Sequence, residues 1–352
     1  MTARDRERAA WIVGGAGVLA VAIAAIVAPW SFPHAWLAAL FCWLAWPLGS
    51  LALVLIHALS GGKWGWAIRP QLIAGIATLP LVLPFSLPLL FVLPSLYPWA
   101  QPALQPHLPN GFYLNLPFFA VRGIVYLVIW LGLAGAVLWT LGRQPSPLRR
   151  IAPPGLILLA LSFTFAAIDL TMSLDPAFKS SVYGMLAGTE AVLFALSIAV
   201  LAVSLADVAK EDAREDLGKL LLALVILWAY LDFMQVLIVW QSDLPDEAAW
   251  YAPRVSHGWQ YVAGLVALLH FALPFFLLLR PGIQRSRGAL RAVTAVLVVA
   301  EALRAWWLVL PAAGRSIGIA DVAALLAVFG LAAGLALRAP RLPQIAGVVR
   351  HG

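Results

Sequence analysis

Hydrophobic residues in this chain gather into long runs. Ten apolar stretches stand out, at 11–28, 34–59, 70–95, 117–142, 153–173, 181–206, 217–241, 259–280, 289–310 and 317–338. Each is close to the roughly 20 residues that carry a helix across about 30 Å of hydrocarbon. The pattern predicts an all-α polytopic membrane protein of about ten transmembrane helices, a single integral membrane domain over 1–352 with no soluble domain. Arg4, Arg6 and Arg8 ahead of the first stretch resemble the start of a signal peptide. Pro29-Trp30 leads straight into the second stretch, however, so a retained first helix is expected.

Composition agrees. The chain is 63% hydrophobic with only 11% charged residues, against about a quarter charged in soluble domains; its mean hydropathy is +0.92. The formal charge of +7 does not mark a nucleic-acid surface, because the charges are spread over short loops. Their distribution sets an orientation. With both termini on one side, that side collects 18 of the 23 Lys and Arg residues, from Arg4 to Arg350, and the other side only Lys179, Arg254 and Arg315. Arg122 and Arg304 lie inside stretches. Such a bias predicts a multi-pass protein with both termini cytoplasmic.

Two connecting regions are distinctive. Residues 207–216 are the most charged and read as a solvated cytoplasmic turn. Pro80, Pro84 and Pro88 recur every four residues in the third stretch, and Pro94, Pro98, Pro102, Pro106 and Pro109 continue into an uncharged outer loop. Each proline removes a backbone donor, so this helix is expected to kink or unwind; a docking surface is the sharper alternative. Trp30, Trp36, Trp64, Trp66, Trp99, Trp240 and Trp250 fall near stretch ends, where anchoring rings sit at a membrane interface.

Charged groups in hydrocarbon are costly and mark either a pathway or a paired lock. Glu190, Asp232, His270 and Glu301 lie on four consecutive stretches, roughly 13–17 Å below the outer surface at helical rise. Two readings follow: a proton relay, or separate hydrogen-bonded locks between helices. Arg304, three residues after Glu301, is expected to pair with it locally. Arg122 and Asp169 sit nearer the outer surface and are placed to pair with each other.

Cofactor chemistry finds little purchase. Cys42 is the only cysteine, which excludes an intramolecular disulfide, a cysteine-held iron–sulfur cluster and covalent haem. His57 and His270 differ in depth by roughly 12–15 Å, too far for two axial ligands of one haem. His34 and His257 are expected to face solvent. No histidine-rich metal cluster, GxSxG or HExxH motif appears, so no catalytic, cofactor-binding or metal-binding residue is assigned.

Residues 165–176, Phe-Ala-Ala-Ile-Asp-Leu-Thr-Met-Ser-Leu-Asp-Pro, resemble a motif in a large membrane subunit (ActF type) of bacterial alternative complex III, a quinol:cytochrome c oxidoreductase. Three further stretches match in the same order. These are 216–241, running from Asp-Leu-Gly-Lys-Leu-Leu through Trp-Ala-Tyr to Gln235 and Trp240; Asp-Leu-Pro-Asp-Glu at 243–247; and His-Phe-Ala-Leu-Pro-Phe at 270–275. The resemblance covers about 155–310. It implies a distantly NrfD/PsrC-like fold with two four-helix bundles, helices 2–5 (34–173) and 6–9 (181–310), flanked by helices 1 and 10. It also implies a subunit without its own redox cofactor, beside haem c and iron–sulfur subunits, offering a proton route or a quinone contact. Departures are Asp175-Pro176-Ala177-Phe178, where the family pattern has Asp-Pro-His-Trp, and Asp232, where it has an apolar or aromatic residue. The alternatives are a stand-alone proton-coupled secondary transporter, which intramembrane carboxylates and a broken helix also suit, and a structural scaffold subunit.

Overall fold

Apolar runs of this length satisfy their backbone polar groups in hydrocarbon by coiling into helices. The computed structural model describes residues 2–104, 110–141, 143, 147–207 and 209–339; it is 86% helical, with no strand among the described residues. Ten helices there are long and apolar enough to cross a membrane: α1 (Arg4–Val27), α2 (Pro29–Ser60), α3 (Lys63–Leu90), α4 (Leu116–Thr140), α5 (Leu148–Leu174), α6 (Tyr183–Ala206), α7 (Glu211–Ser242), α8 (Trp259–Leu278), α9 (Arg287–Ala313) and α10 (Ile319–Arg338). Each coincides with one of the ten apolar stretches. Pro106 and Pro109 of the proline-rich loop, and the basic residues Arg341 and Arg350, lie outside the described residues.

Burial divides these helices sharply. The most apolar window of α2 is 94% buried, and that of α1 only 17%. α2 occupies the centre, packing on α3, α5, α6, α9 and α10. Gly49 brings it so close to α6 that a Cβ would collide with the carbonyl of Ala191. α1 leans on α10 in antiparallel fashion: Gly14 meets Gly330, Gly17 meets Ala327, and the ring of Trp11 covers Gly334. Small residues let two backbones approach where lipid supplies no hydrophobic drive for association.

Two helices depart from regular α geometry in their interiors, each near a proline. α3 runs as α-helix over Lys63–Ile76, passes through a 3-10 turn at Leu79–Leu81 and resumes at Val82–Leu90. Thr78 Oγ1 donates to the carbonyl of Gly75 at 2.8 Å beside the break. This is the break expected of the helix that holds Pro80, Pro84 and Pro88, although Pro88 itself lies within the regular α-helical segment Val82–Leu90. α8 contains a π-helical segment, Ala267–Ala272, between α-helical turns. Pro274 has no N–H to offer the carbonyl of His270, and the wider turn accommodates the missing bond.

The connections meet on two faces. On one, Lys63 pairs with Asp212 at 2.8 Å, Arg285 with Glu215 at 2.8 Å and Arg287 with Asp207 at 2.7 Å. On the other, Arg315 donates to the carbonyl of Ser31 at 3.0 Å, and Trp259 Nε1 to that of Arg315 at 3.0 Å. The first face carries most of the basic residues and is called the basic face below.

Several side chains lie elsewhere than their sequence position suggests. Trp30, Trp66 and Trp240 are exposed, as interface rings should be, but Trp36, Trp99 and Trp250 are buried within the protein. Trp36 Nε1 donates to the carbonyl of Phe85 on α3 at 2.7 Å, and Trp99 Nε1 to Ser173 Oγ at 3.1 Å. The proline-rich loop therefore folds inward over the end of α5, with Tyr97 OH donating to the carbonyl of Leu170 at 2.9 Å. His257 is exposed, but His34 is buried: it sits in the first turn of α2, in a recess it shares with Arg315 of the α9–α10 connection.

Candidate functional site

α6, α7 and α8 each contribute one ionisable side chain to a common interior cluster, and α9 contributes two. Glu190, His270, Glu301 and Arg304 are 1–4% exposed. Glu190, Asp232, His270 and Glu301, matched in depth by the sequence, are brought together. The pairing, however, differs from the local one expected between Glu301 and Arg304. His270 Nε2 lies 3.2 Å from Glu301 Oε2. Arg304 instead bridges two other helices, with Nη2 2.7 Å from Asp232 Oδ1 and Nε 3.2 Å from Glu190 Oε1. The reason is electrostatic. Glu301 has an imidazole against it, whereas among the described residues Glu190 and Asp232 have Arg304 as their ion-pair partner, so the guanidinium's fork spans both.

Aromatic rings close the cluster. The Trp228 and His270 rings lie 4.1 Å apart between centroids, and the Arg304 guanidinium stands 4.7 Å from the Trp307 ring, within cation–π range. Three buried atoms, Glu190 Oε1, His270 Nδ1 and Arg304 Nε, make no hydrogen bond; the contact between Glu190 and Arg304 is an ion pair without good donor geometry.

Charge counting says what this arrangement can do. Three carboxylates and one imidazole face a single guanidinium, so full ionisation with neutral His270 leaves two net negative charges in hydrocarbon. Such an excess is expensive unless protons or a cation offset it. The cluster therefore has more proton-binding places than its one fixed cation balances. A metal is the other way to offset the charge, since ligand atoms of Glu190, His270 and Glu301 lie within 4.8 Å of one another. Arg304 already stands against Glu190 as a competing cation, and a metal would also have to break the His270–Glu301 contact, so these residues fit a metal poorly.

A polar string leaves the cluster toward the face opposite the basic one. Asp232 and Tyr251 line one cavity. Gln235, one turn beyond Asp232 on α7, donates from Nε2 to Tyr251 OH at 3.3 Å and accepts from Ser180 Oγ at 3.1 Å. Ser180 borders a surface recess of about 440 Å³ with Lys179 and Glu247. Burial pushes the Tyr251 hydroxyl up to about 12, so at neutral pH it stays a neutral donor and acceptor. Beside it, Arg254 is 1% exposed. It donates to the carbonyls of Trp250 at 2.6 Å and Leu308 at 2.7 Å, and burial lowers it to about 10, still a cation at neutral pH. Toward the basic face, buried Ser197 and Thr294 turn their hydroxyls back onto helix carbonyls at 2.8 and 2.7 Å, and Ser50 Oγ makes no hydrogen bond.

Asp169 and Arg122 form a second, separate pair, as their positions suggested. Arg122 Nε and Nη2 reach Asp169 Oδ2 and Oδ1 at 2.8 and 2.9 Å. Asp175, at the end of the 165–176 motif and a candidate supporting residue by its sequence position, caps a turn through a hydrogen bond from the Ala177 N–H at 3.1 Å and takes no part in either cluster's hydrogen bonds among the described residues. Tyr251, Gln235 and Trp228 were not singled out as site residues from sequence. They are uncharged at neutral pH and give no depth signal.

No protein-family model matches this chain, and no curated protein matches it.

Proposed function

We propose that this chain is an integral membrane subunit of a quinol-oxidising respiratory complex, of the kind the resemblance over 155–310 implies, without a redox centre of its own. In this reading it lies in a bacterial inner membrane with its basic face cytoplasmic. Its partners are subunits carrying haem c and iron–sulfur clusters. The α6–α9 cluster stores protons and exchanges them with the outer face through Tyr251, Gln235 and Ser180.

The observation that carries this reading is the single guanidinium set against three carboxylates, two of them buried, beside a polar string that leads toward one surface. A lock needs matched charges, and a store needs spare proton-binding places. The same one-sidedness weighs against the stand-alone transporter, which must open its site to both faces in turn.

The test is mild-detergent purification of the tagged chain, followed by reconstitution of whatever assembly is recovered. Haem c and iron–sulfur proteins are expected to co-purify. In liposomes, Glu190→Gln should lower protons moved per quinol oxidised while leaving the assembly intact. The amide keeps hydrogen-bonding capacity and removes the titrating group. A chain that purifies alone, or an assembly whose proton yield is unaltered by Glu190→Gln, contradicts the proposal.

A further inference from the structure

On the face opposite the basic one, three connections meet around a recess of about 500 Å³. The α1–α2 turn and the start of α2 bring Trp30 and His34, the proline-rich loop brings Ser95 and Gln101, and the α9–α10 connection brings Ala312 and Arg315. Among the described residues that line it, Arg315 is the only arginine or lysine, and none is a carboxylate. Arg315 is only partly engaged. A guanidinium carries five N–H donors. Nη1 gives one to the carbonyl of Ser31 at 3.0 Å, and Nη2 reaches the Asp321 carboxylate at 3.3 and 3.5 Å. The Nε–H and the second Nη1–H find no acceptor among the described residues. His34 is 8% exposed, and its buried Nδ1 makes no hydrogen bond. A buried polar atom without a partner is costly, so an unpaired one on the wall of a recess calls for a ligand. The surroundings of the recess are apolar: Val27, Phe91 and Ile319, each within a few residues of a lining position, are 72%, 84% and 85% exposed.

We infer that this recess holds the headgroup of an anionic glycerophospholipid, with its acyl chains along the exposed ends of α1 and α3. The phosphate accepts hydrogen bonds from the free edge of the Arg315 guanidinium, whose planar fork suits a phosphate oxyanion, and from His34. Headgroup hydroxyls bond Ser95 and Gln101. The absence of a lining carboxylate sets the selectivity, because a choline or ethanolamine headgroup would bring its cation against Arg315 with no counter-charge. Size is suitable, since small-molecule sites run from about 300 to 1,000 Å³. Free phosphate shares the oxyanion chemistry, but it would make no use of the apolar flanks, whereas acyl chains cover them. Such a lipid ties the α1–α2 turn to the α9–α10 connection, at the end of a helix pair in which the apolar window of α1 is only 17% buried. The inference goes beyond the function proposed above and does not depend on it.

The test follows thermal unfolding of the full chain in mild detergent as short-chain phosphatidylglycerol, phosphatidylcholine of equal chain length or inorganic phosphate is added. Phosphatidylglycerol should raise the transition saturably, as a ligand of the folded state does, and native mass spectrometry should retain it on the chain. Phosphatidylcholine and phosphate should leave the transition where it is at the same concentrations. Ala312→Trp, at an exposed lining position, fills the recess without disturbing the core and should abolish the shift. His34→Phe separates a ligand from a bystander. Removing an unpaired buried nitrogen preserves or raises stability without lipid. It should nevertheless weaken the apparent affinity for phosphatidylglycerol about tenfold or more, the loss of one hydrogen bond to a charged group. The lipid-free transition of each variant shows that it has folded. An equal shift with phosphatidylcholine would overturn the headgroup assignment, and an equal shift with phosphate would make the recess a site for a free anion. A phosphatidylglycerol shift that survives both variants would place the lipid elsewhere and overturn the inference as well.

Discussion

Two buried arginine–carboxylate sites in one molecule are built to opposite specifications. Between α4 and α5, Arg122 meets Asp169 through two parallel bonds. Its third contact goes to the carbonyl of Tyr113 at 2.9 Å, and Tyr126 OH donates to Asp169 Oδ2 at 2.7 Å. The guanidinium also lies 3.8 Å from the Tyr113 ring. One cation balances one anion, and every charged atom of the pair has a hydrogen-bond partner, which leaves no spare place for a proton. Among α6–α9 the same residue types are mismatched, with three carboxylates to one guanidinium, buried atoms of Glu190, His270 and Arg304 without hydrogen bonds, and one edge on a cavity. Balance makes a lock, and imbalance makes a place where protons or ligands come and go.

The comparison is broken most forcefully at the balanced site. Arg122→Leu leaves the Asp169 carboxylate buried without its cation, so stability should fall by about 3–5 kcal/mol, read from denaturant or thermal unfolding in detergent. A loss near zero would mean that the pair is not a lock. The unbalanced site should respond far less. Asp232→Asn removes one of three negative charges and leaves Arg304 its contact with Glu190, so stability should stay within about 1 kcal/mol of the original, by the same measurement. A collapse comparable to that of Arg122→Leu would place both clusters in one structural class. The smallest effect belongs to the exposed pair on the basic face. Lys63 and Asp212 have side chains 75% and 53% exposed, and such pairs contribute little. Lys63→Met should leave the unfolding transition where it is, and a clear downward shift would show that burial is not what separates these ion pairs.

Much of this was legible in the sequence. Run length alone located the ten helices, because hydrocarbon thickness sets a minimum that soluble helices need not meet. Spacing of Pro80 and Pro84 foretold the break in α3. Counting along each run also placed Glu190, Asp232, His270 and Glu301 at one depth. Counting, however, measures height along a helix and says nothing of its rotation or of which helix stands beside it. The single contact deducible within α9, Glu301 with Arg304, was therefore expected, while the bridges from Arg304 to α6 and α7 were not. Trp99 and Trp250 show the same limit from another side. A ring near a helix end looks alike in sequence whether it meets lipid or, as here, turns inward. Tyr251 and Gln235 carry no charge and lie in or near a connection, so nothing but their contacts distinguishes them.

The close glycine contact of α1 with α10 also bears on biosynthesis. Gly14 and Gly330 lie more than 300 residues apart in the chain. At translation rates of about 5–20 residues per second, roughly 15 to 60 seconds pass between the emergence of the two. Throughout that interval α1, with so little of its surface buried by other helices, must wait in the lipid for its partner. α10, made long after α1, completes the contact surface of α1. Interrupting synthesis before α10 should thus leave a chain whose leading helix is inserted but unclasped, a form that membrane quality-control proteases are equipped to recognise.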